Sequence, residues 1–270
     1  MTRLSKQLLY GLVFLAVIGA IIFGLYRLAV PQATCTDGVK NGTEEGVDCG
    51  AVCGVSCPPV LVPLENKPVQ FIQNSNGTWD ALAHLENTNS IYGASRVDFV
   101  LSVTGAGGAK LAARSGFTYV NPSQPRYLDF PLGALSAPPA SAALQFVDSQ
   151  VQWAALTVDA AGTVQFAVRG ETIASSSAGV TYQATVTNRS SFDFDTVDVV
   201  VLLQDSSGRV LAANSTVLRT LVSGATRGIT LDWPFAVPGV VSAQVIVGTN
   251  LFSNANYLKT YGSPGRVQGN

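Results

Sequence analysis

Apolar positions in this chain first run unbroken and then alternate. From Leu8 to Tyr26 the segment LLYGLVFLAVIGAIIFGLY carries no charged side chain. At a helical rise of about 1.5 Å per residue it covers roughly 28 Å, the thickness of a bilayer's hydrocarbon layer. The pattern predicts one membrane-spanning helix over residues 8–30. Beyond residue 60 the period falls to two. Ala81, Ala83 and Leu85 share one face of a predicted strand, as do Tyr182, Ala184 and Val186 later on, and long apolar strands are expected at Val97–Val103 and Val197–Leu203. Turn formers follow each long strand, Gly105-Ala106-Gly107-Gly108 in one place and Asp205-Ser206-Ser207-Gly208 in the other. Short strands at regular spacing without helical periodicity predict β-sandwiches.

The body is a repeat of about 100 residues. Ala83-His84-Leu85-Glu86-Asn87 lies on Ala184-Thr185-Val186-Thr187-Asn188, and Val97-Asp98-Phe99-Val100 on Val197-Asp198-Val199-Val200. Leu111-Ala112-Ala113-Arg114-Ser115 lies on Leu211-Ala212-Ala213-Asn214-Ser215. Leu128-Asp129-Phe130-Pro131 is matched with Leu231-Asp232-Trp233-Pro234, and Val69-Gln70-Phe71 with Val164-Gln165-Phe166. The expected organisation is a cytoplasmic tip at 1–7, the membrane helix at 8–30, a cysteine-rich stalk at 31–59, sandwiches at 60–158 and 159–256, and a flexible tail at 257–270.

All four cysteines fall in one short stretch, Cys35, Cys49, Cys53 and Cys57. An even set so closely grouped outside the cytoplasm predicts two disulfides, with three pairings open. A zinc site is the competing reading, but the spacings lack the C-x-x-C knuckles that wrap a tetrahedral ion. In the same loop Asp37, Asn41, Glu44 and Asp48 are interleaved with Gly38 and Gly42. Oxygen ligands at such spacing suit a hard cation, so calcium is the candidate cofactor. Asp-Gly and Asn-Gly pairs also form turns with no ion at all. Next, PPVLVPLENKP predicts an extended, semi-rigid connection.

The cysteine segment, CTDGVKNGTEEGVDCGAVCGVSC, resembles the CxDGxxNGxExxVDCGGxCxxC module of secreted and surface-exposed proteins. It departs at Ala51, where a second glycine is usual, and by one extra residue before the last cysteine. In each repeat an aromatic-led strand, an N-x-x-S with an aromatic, a V-x-V-x-L-x-D-x-x-G hairpin and an L-D-W-P run resemble FxLYD and related LEA14-like Ig-fold domains of anchored or secreted bacterial proteins. The first copy, with SVTGAGG, lacks the usual acidic residue. The resemblance implies a mainly β chain: an N-terminal transmembrane helix, a small disulfide-rich stalk and two tandem Ig-like β-sandwich domains.

Charge sets the orientation and excludes some partners. Arg3 and Lys6 precede the span, and after Arg27 no basic residue occurs before Lys40. The positive-inside rule then places the N-terminus in the cytoplasm and the sandwiches outside the cell membrane. A cleaved secretory signal is the alternative; it needs a shorter apolar core and an A-x-A-like site, which Pro31-Gln32-Ala33 fits poorly. Beyond residue 30 the chain carries 13 basic against 17 acidic residues, a mildly acidic body without the basic stripe that nucleic acid requires.

Catalytic chemistry finds little to work with. His84 is the single histidine, and strand alternation sets it on the face opposite Ala83 and Leu85, where a solvent-facing role is expected. Gly105 to Lys110 looks like a phosphate loop but leads into a strand, so a turn is expected. Asp193, Asp195 and Asp198 read as a solvated acidic rim, and Trp79, Trp153 and Trp233 as packing residues. No catalytic residue is expected. The sequence predicts a non-catalytic anchored protein that presents two sandwiches to a protein or glycan ligand, for binding, adhesion or spacing. The alternative is an extracytoplasmic scaffold subunit of an envelope complex.

Overall fold

A computed structural model describes residues 3–29, 34–147, 151–156 and 164–258. The Pro31–Ala33 stretch, the expected boundary at 158/159 and residues 259–270 of the expected tail lie outside the described residues. The chain divides into two compact units, Met1–Val60 and Leu61–Asn270.

In the first unit, helix α1 spans Arg3–Ala29, so it begins inside the stretch expected as a cytoplasmic tip. Within it Ser5–Tyr26 is long and apolar enough to cross a membrane, and a signal sequence has the same length and composition. Leu8, Leu12, Phe14, Leu15, Ile22 and Phe23 are all more than half exposed. A helix that is apolar all round and uncovered by its own chain must find lipid or another protein. The cysteine segment that follows has almost no regular structure: two isolated bridges, Gly46 to Cys49 and Gly50 to Val55.

The second unit holds two sandwiches. Sandwich 1 contains β1 (Glu65–Asn66), β2 (Gln70–Gln73), β3 (Trp79–Glu86), β4 (Tyr92–Gly105), β5 (Lys110–Val120), β6 (Pro125–Gly133), β7 (Pro139–Phe146) and β8 (Trp153–Ala155). Strand β3 is flanked by β6 on one side and by β1 and β2, end to end, on the other. Strand β4 lies between β5 and the pair β7 and β8. Sandwich 2 contains β9 (Phe166–Ser175), β10 (Val180–Asn188), β11 (Phe194–Gln204), β12 (Val210–Leu221), β13 (Thr226–Trp233) and β14 (Ser242–Gly248). Its sheets run β13-β10-β9 and β12-β11-β14, the same order as in sandwich 1. All pairs are antiparallel. Strand β8 has a remnant counterpart in Tyr257, bridged to Phe194. Tyr257 packs on Phe192 and Phe194, and the Leu258 amide donates to Asp193 O. Aromatic packing therefore carries sandwich 2 into the first two residues of the expected tail.

Alternation builds each core. Ala81, Ala83, Leu85, Phe99, Leu101, Val103, Phe130 and Leu132 fill sandwich 1. Tyr182, Val186, Phe194, Val197, Val201, Leu203, Leu231 and Trp233 fill sandwich 2. Pairing fixes the repeat register. Val97 faces Thr118 and Val103 faces Ala112, as Val197 faces Leu218 and Leu203 faces Ala212, so the offset of 100 read for this hairpin holds. Two other matches shift. Ala83 faces Leu128 and Ala184 faces Ile229, which equates Leu128 with Ile229 and moves the two Leu-Asp motifs two residues out of step. Phe71 faces Ala81 while Ile173 faces Tyr182, so Ile173, not Phe166, is the counterpart of Phe71.

One polar device recurs. Asn87, buried at the end of β3, donates from Nδ2 to the carbonyls of Tyr92 (2.7 Å) and Asn121 (3.0 Å). Asn188 does the same to Phe192 (2.7 Å) and Leu221 (3.0 Å). Each Oδ1 accepts an amide two residues on, from Asn89 or Ser190. A buried amide that bridges a loop to the opposite sheet satisfies carbonyls that would otherwise be orphaned.

Candidate functional site

In the cysteine segment the disulfides are Cys35–Cys53 and Cys49–Cys57. The two loops interlock, and at their lengths each closure is worth about 3 kcal/mol by chain entropy. A Cβ on Gly46 would stand 2.6 Å from Cys49 Sγ and 2.9 Å from Cys57 Sγ, so only glycine lets the backbone pass that close to the sulfurs.

The structure brings all four candidate calcium ligands into one hydrogen-bonded loop. The Asp37 carboxylate accepts from Thr34 Oγ1 (2.5 Å), the Val39 amide (2.9 Å) and Asn41 Nδ2 (2.8 Å). The Thr34 bond, foremost among these, holds the Asp37 carboxyl below its ordinary value. Asp48 accepts from the Asp37 (3.1 Å) and Gly38 (2.8 Å) amides. Glu44, 6% exposed, accepts from the Asn41 and Asp48 amides at 3.1 and 3.4 Å. These oxygens act as caps on the loop's own backbone, and a cation would have to share them with those donors. One tight set of ligand-type atoms occurs among the described residues, Cys35, Glu44 and Cys53. Both sulfurs are joined in the disulfide, which removes the thiolate that a metal would need.

A second concentration of chemistry lies where the sandwiches meet, and sequence reasoning missed it. The outward face of β2, β3 and β6 packs on the outward face of β11, β12 and β14. Ile72, Leu82 and Tyr127 meet Val200, Leu202, Ala213 and Ile246. Its signal was in β11, where Val199 to Leu203 are all buried. A strand hidden on both faces abandons alternation. Around this apolar centre Arg126 Nη2 donates to Asp198 Oδ2 at 2.8 Å, and its Nη1 donates to the Tyr119 hydroxyl at 2.9 Å. Asn121 Nδ2 reaches Thr249 O at 2.9 Å, Asn250 Nδ2 reaches Ser95 O at 2.8 Å, and Ser75 Oγ reaches Ala236 O at 2.7 Å. Gly93 seats the Phe252 ring, which a Cβ would meet at 2.4 Å.

Ionisable groups share that face. Leu82 faces Asp129 across β3 and β6, and Asp80 lies two pairs farther along, on the same face. Asp80 is 8% exposed and accepts from Asn74 Nδ2 at 2.8 Å. Asp129 Oδ1 is buried without a hydrogen-bond partner. Burial pushes the Asp129 carboxyl up to about 7, and the charge of Asp80 pushes the same way. Burial also raises Asp80, against the pull of Asn74. His84 is not solvent-facing as expected: its ring stacks on Tyr127 at 4.3 Å, and its Nε2 is buried. Burial lowers its pKa, with Glu86 pulling the other way. The ring is therefore neutral at pH 7, and its 3.7 Å approach to Glu86 is a polar contact and not an ion pair.

The remaining candidates behave as packing or turns. Asp195 meets Arg219 at 3.5 Å, Asp198 meets Arg126, and Asp193 Oδ1 accepts the Ser223 amide at 2.7 Å. The three do not converge on one point. Gly105 to Ala109 closes the β4–β5 hairpin, with the Gly105 amide donating to Ala109 O at 2.8 Å. Trp79 and Trp153 are half-buried, and Trp233 is buried with Nε1 on Ala213 O at 3.0 Å. A hollow of about 400 Å³ beside the β9–β10 turn is lined by Ser176, Gly179, Thr181, Asp232 and Trp233. Its one carboxylate already accepts from Thr181.

No protein-family model matches the chain, and no curated protein matches it. Among solved structures, red sea bream transglutaminase aligns with 74% of this chain at 11% identity and a TM-score of 0.21. The chain spans 30% of that protein's length. The calcium-binding domain CBD12 of CALX1.1 aligns with 67% of this chain and 79% of its own, at 15% identity and a TM-score of 0.19. Superpositions at these scores carry no argument about this chain, and the two-sandwich architecture rests on its own strand pairing.

Proposed function

We propose that this protein is a non-catalytic, single-pass membrane protein that presents its paired sandwiches outside the cytoplasm for binding or adhesion. The observation that carries the reading is the pair of disulfides next to an apolar helix. Disulfides persist in oxidising compartments, and a helix apolar on every face is stable in lipid. Arg3 and Lys6 ahead of the helix support an inward N-terminus. Two features support a non-catalytic role: all four cysteines are in disulfides, and the single histidine is stacked on Tyr127 with its Nε2 buried. The packing of the sandwiches on one another supports a rigid presenting body more than a flexible spacer. Its exposed sheet face around Val100, Ser115 and Phe117, with Arg96 set over the Phe117 ring at 3.9 Å, offers a protein or glycan partner an amphipathic surface.

The test is membrane extraction with thiol counting. In cells, the full-length chain should stay with the membrane in alkaline carbonate. All four cysteines should resist alkylation until a reductant is added. Alkylation without reductant would place the cysteines in a reducing compartment and reject the reading. Recovery of a shortened chain in the soluble fraction would convert the helix into a removed signal sequence.

A further inference from the structure

Asp129 sits in the seam between two bodies that each own a core, so its protonation bears on how they pack and not on whether they fold. We propose that Asp129 is a proton-operated latch on the packing of the two sandwiches, closed when its carboxyl is neutral and loosened when it ionises. The geometry gives the reason. Oδ1 of the half-buried Asp129 side chain is itself buried without a donor, on the residue paired with Leu82 of the apolar seam, and charge placed on an oxygen that neither donor nor water reaches is costly.

Among the described residues, each charged group on the elements packed here is either of like sign or already engaged. From β3 come Asp80, bonded to Asn74, and the stacked His84. From β5, Arg114 donates to the carbonyls of Ala113 and Pro131. On β12, Ala213, Ser215 and Val217 occupy the outward face, and Arg219 is paired with Asp195. On β11, Asp198 is paired with Arg126. Strands β2 and β14 carry no charged residue. Nothing in this set neutralises an ionised Asp129.

The sign follows from the direction of the shift. The docked carboxyl holds its proton to about 7, against an ordinary 3.8. Docking therefore takes up a proton between those values. It is undisturbed below about 4, weakens as pH rises through that window, and is weakest above neutrality.

Energy transfer across the seam tests this in the full chain, held in lipid nanodiscs. Donor and acceptor are placed through azide-bearing residues at exposed Ser115 and Thr230, because all four cysteines are occupied. Transfer should fall as pH rises from about 4 to about 7, the docking constant dropping about tenfold per unit inside that window and levelling off above it. Asp129→Asn should remain docked across the range. Asp80→Asn, which keeps Asp129 but removes the negative neighbour that raises its pKa, should move the midpoint to lower pH. A pH-independent signal in the parent chain overturns the latch. So does a response that survives in Asp129→Asn but vanishes in His84→Gln. If Asp129→Asn does not fold, an unmoved midpoint in Asp80→Asn is the overturning result.

Discussion

The two sandwiches share strand order and pairing register yet dispose of their outer faces in opposite ways. Sandwich 1 hides the outer face of β2, β3 and β6, with Leu82 at its centre. On the matching face of sandwich 2 the residue equivalent to Leu82 is Gln183, among exposed Thr185, Thr226 and Thr230. The other sheet reverses this. Sandwich 2 hides Val200, Leu202 and Ile246, and the equivalents in sandwich 1 are Val100, Ser102 and Gln145. Repetition fixed the inward residues, while the outward residues follow whatever covers them. An outward leucine thus marks a covered sheet in a way that an inward one never can.

The sharpest way to break this contrast is to truncate both kinds of residue. Leu202→Ala and Leu82→Ala each remove a side chain at most 3% exposed and should cost about 3 kcal/mol in urea denaturation. Their equivalents, Ser102→Ala and Gln183→Ala, should stay within about 0.5 kcal/mol. Equal losses in the two sets would mean that the seam contributes nothing. Next, Gly93→Ala drives a methyl into the Phe252 ring and Val120 O and should cost about 2 kcal/mol by overpacking, read as a lower thermal midpoint. The shared asparagines sharpen the comparison from the other side. Asn87→Ala and Asn188→Ala each strand two carbonyls and should cost a similar amount, about 2 kcal/mol, because this device is common to both repeats. Among the variants expected to destabilise, the smallest loss is at the rim. Asp198→Asn leaves Arg126 its bonds to Thr118 and Tyr119, so about 1 kcal/mol should be lost, and less at high salt.

Much of this was legible in the sequence. The apolar helix, the grouped cysteines and the β4–β5 and β11–β12 hairpins follow from period and composition, because alternation and turn residues are local signals. The register of β6 against β13 was not. Two Leu-Asp motifs invite superposition, but Leu128 stands opposite Ala83 and Leu231 opposite Tyr182, and burial, not letter identity, sets the pairing. The disulfide pairing was closed to sequence because spacing is compatible with every connection. The seam was half legible: the run from Val199 to Leu203 reads as a strand buried twice over, whereas Ile72, Leu82 and Tyr127 are scattered singly among polar neighbours. His84 looked solvent-facing for the same reason, since alternation tells which side a residue takes and not what lies against that side.

The crossed cystines have a consequence for how the anchor can be lost. Every peptide bond between Cys35 and Cys57 is bypassed by at least one sulfur bridge, and those between Cys49 and Cys53 by both. A protease that nicks the chain once in that interval leaves the two fragments covalently joined. Shedding by a single cut must therefore fall outside it, or wait for a reductant.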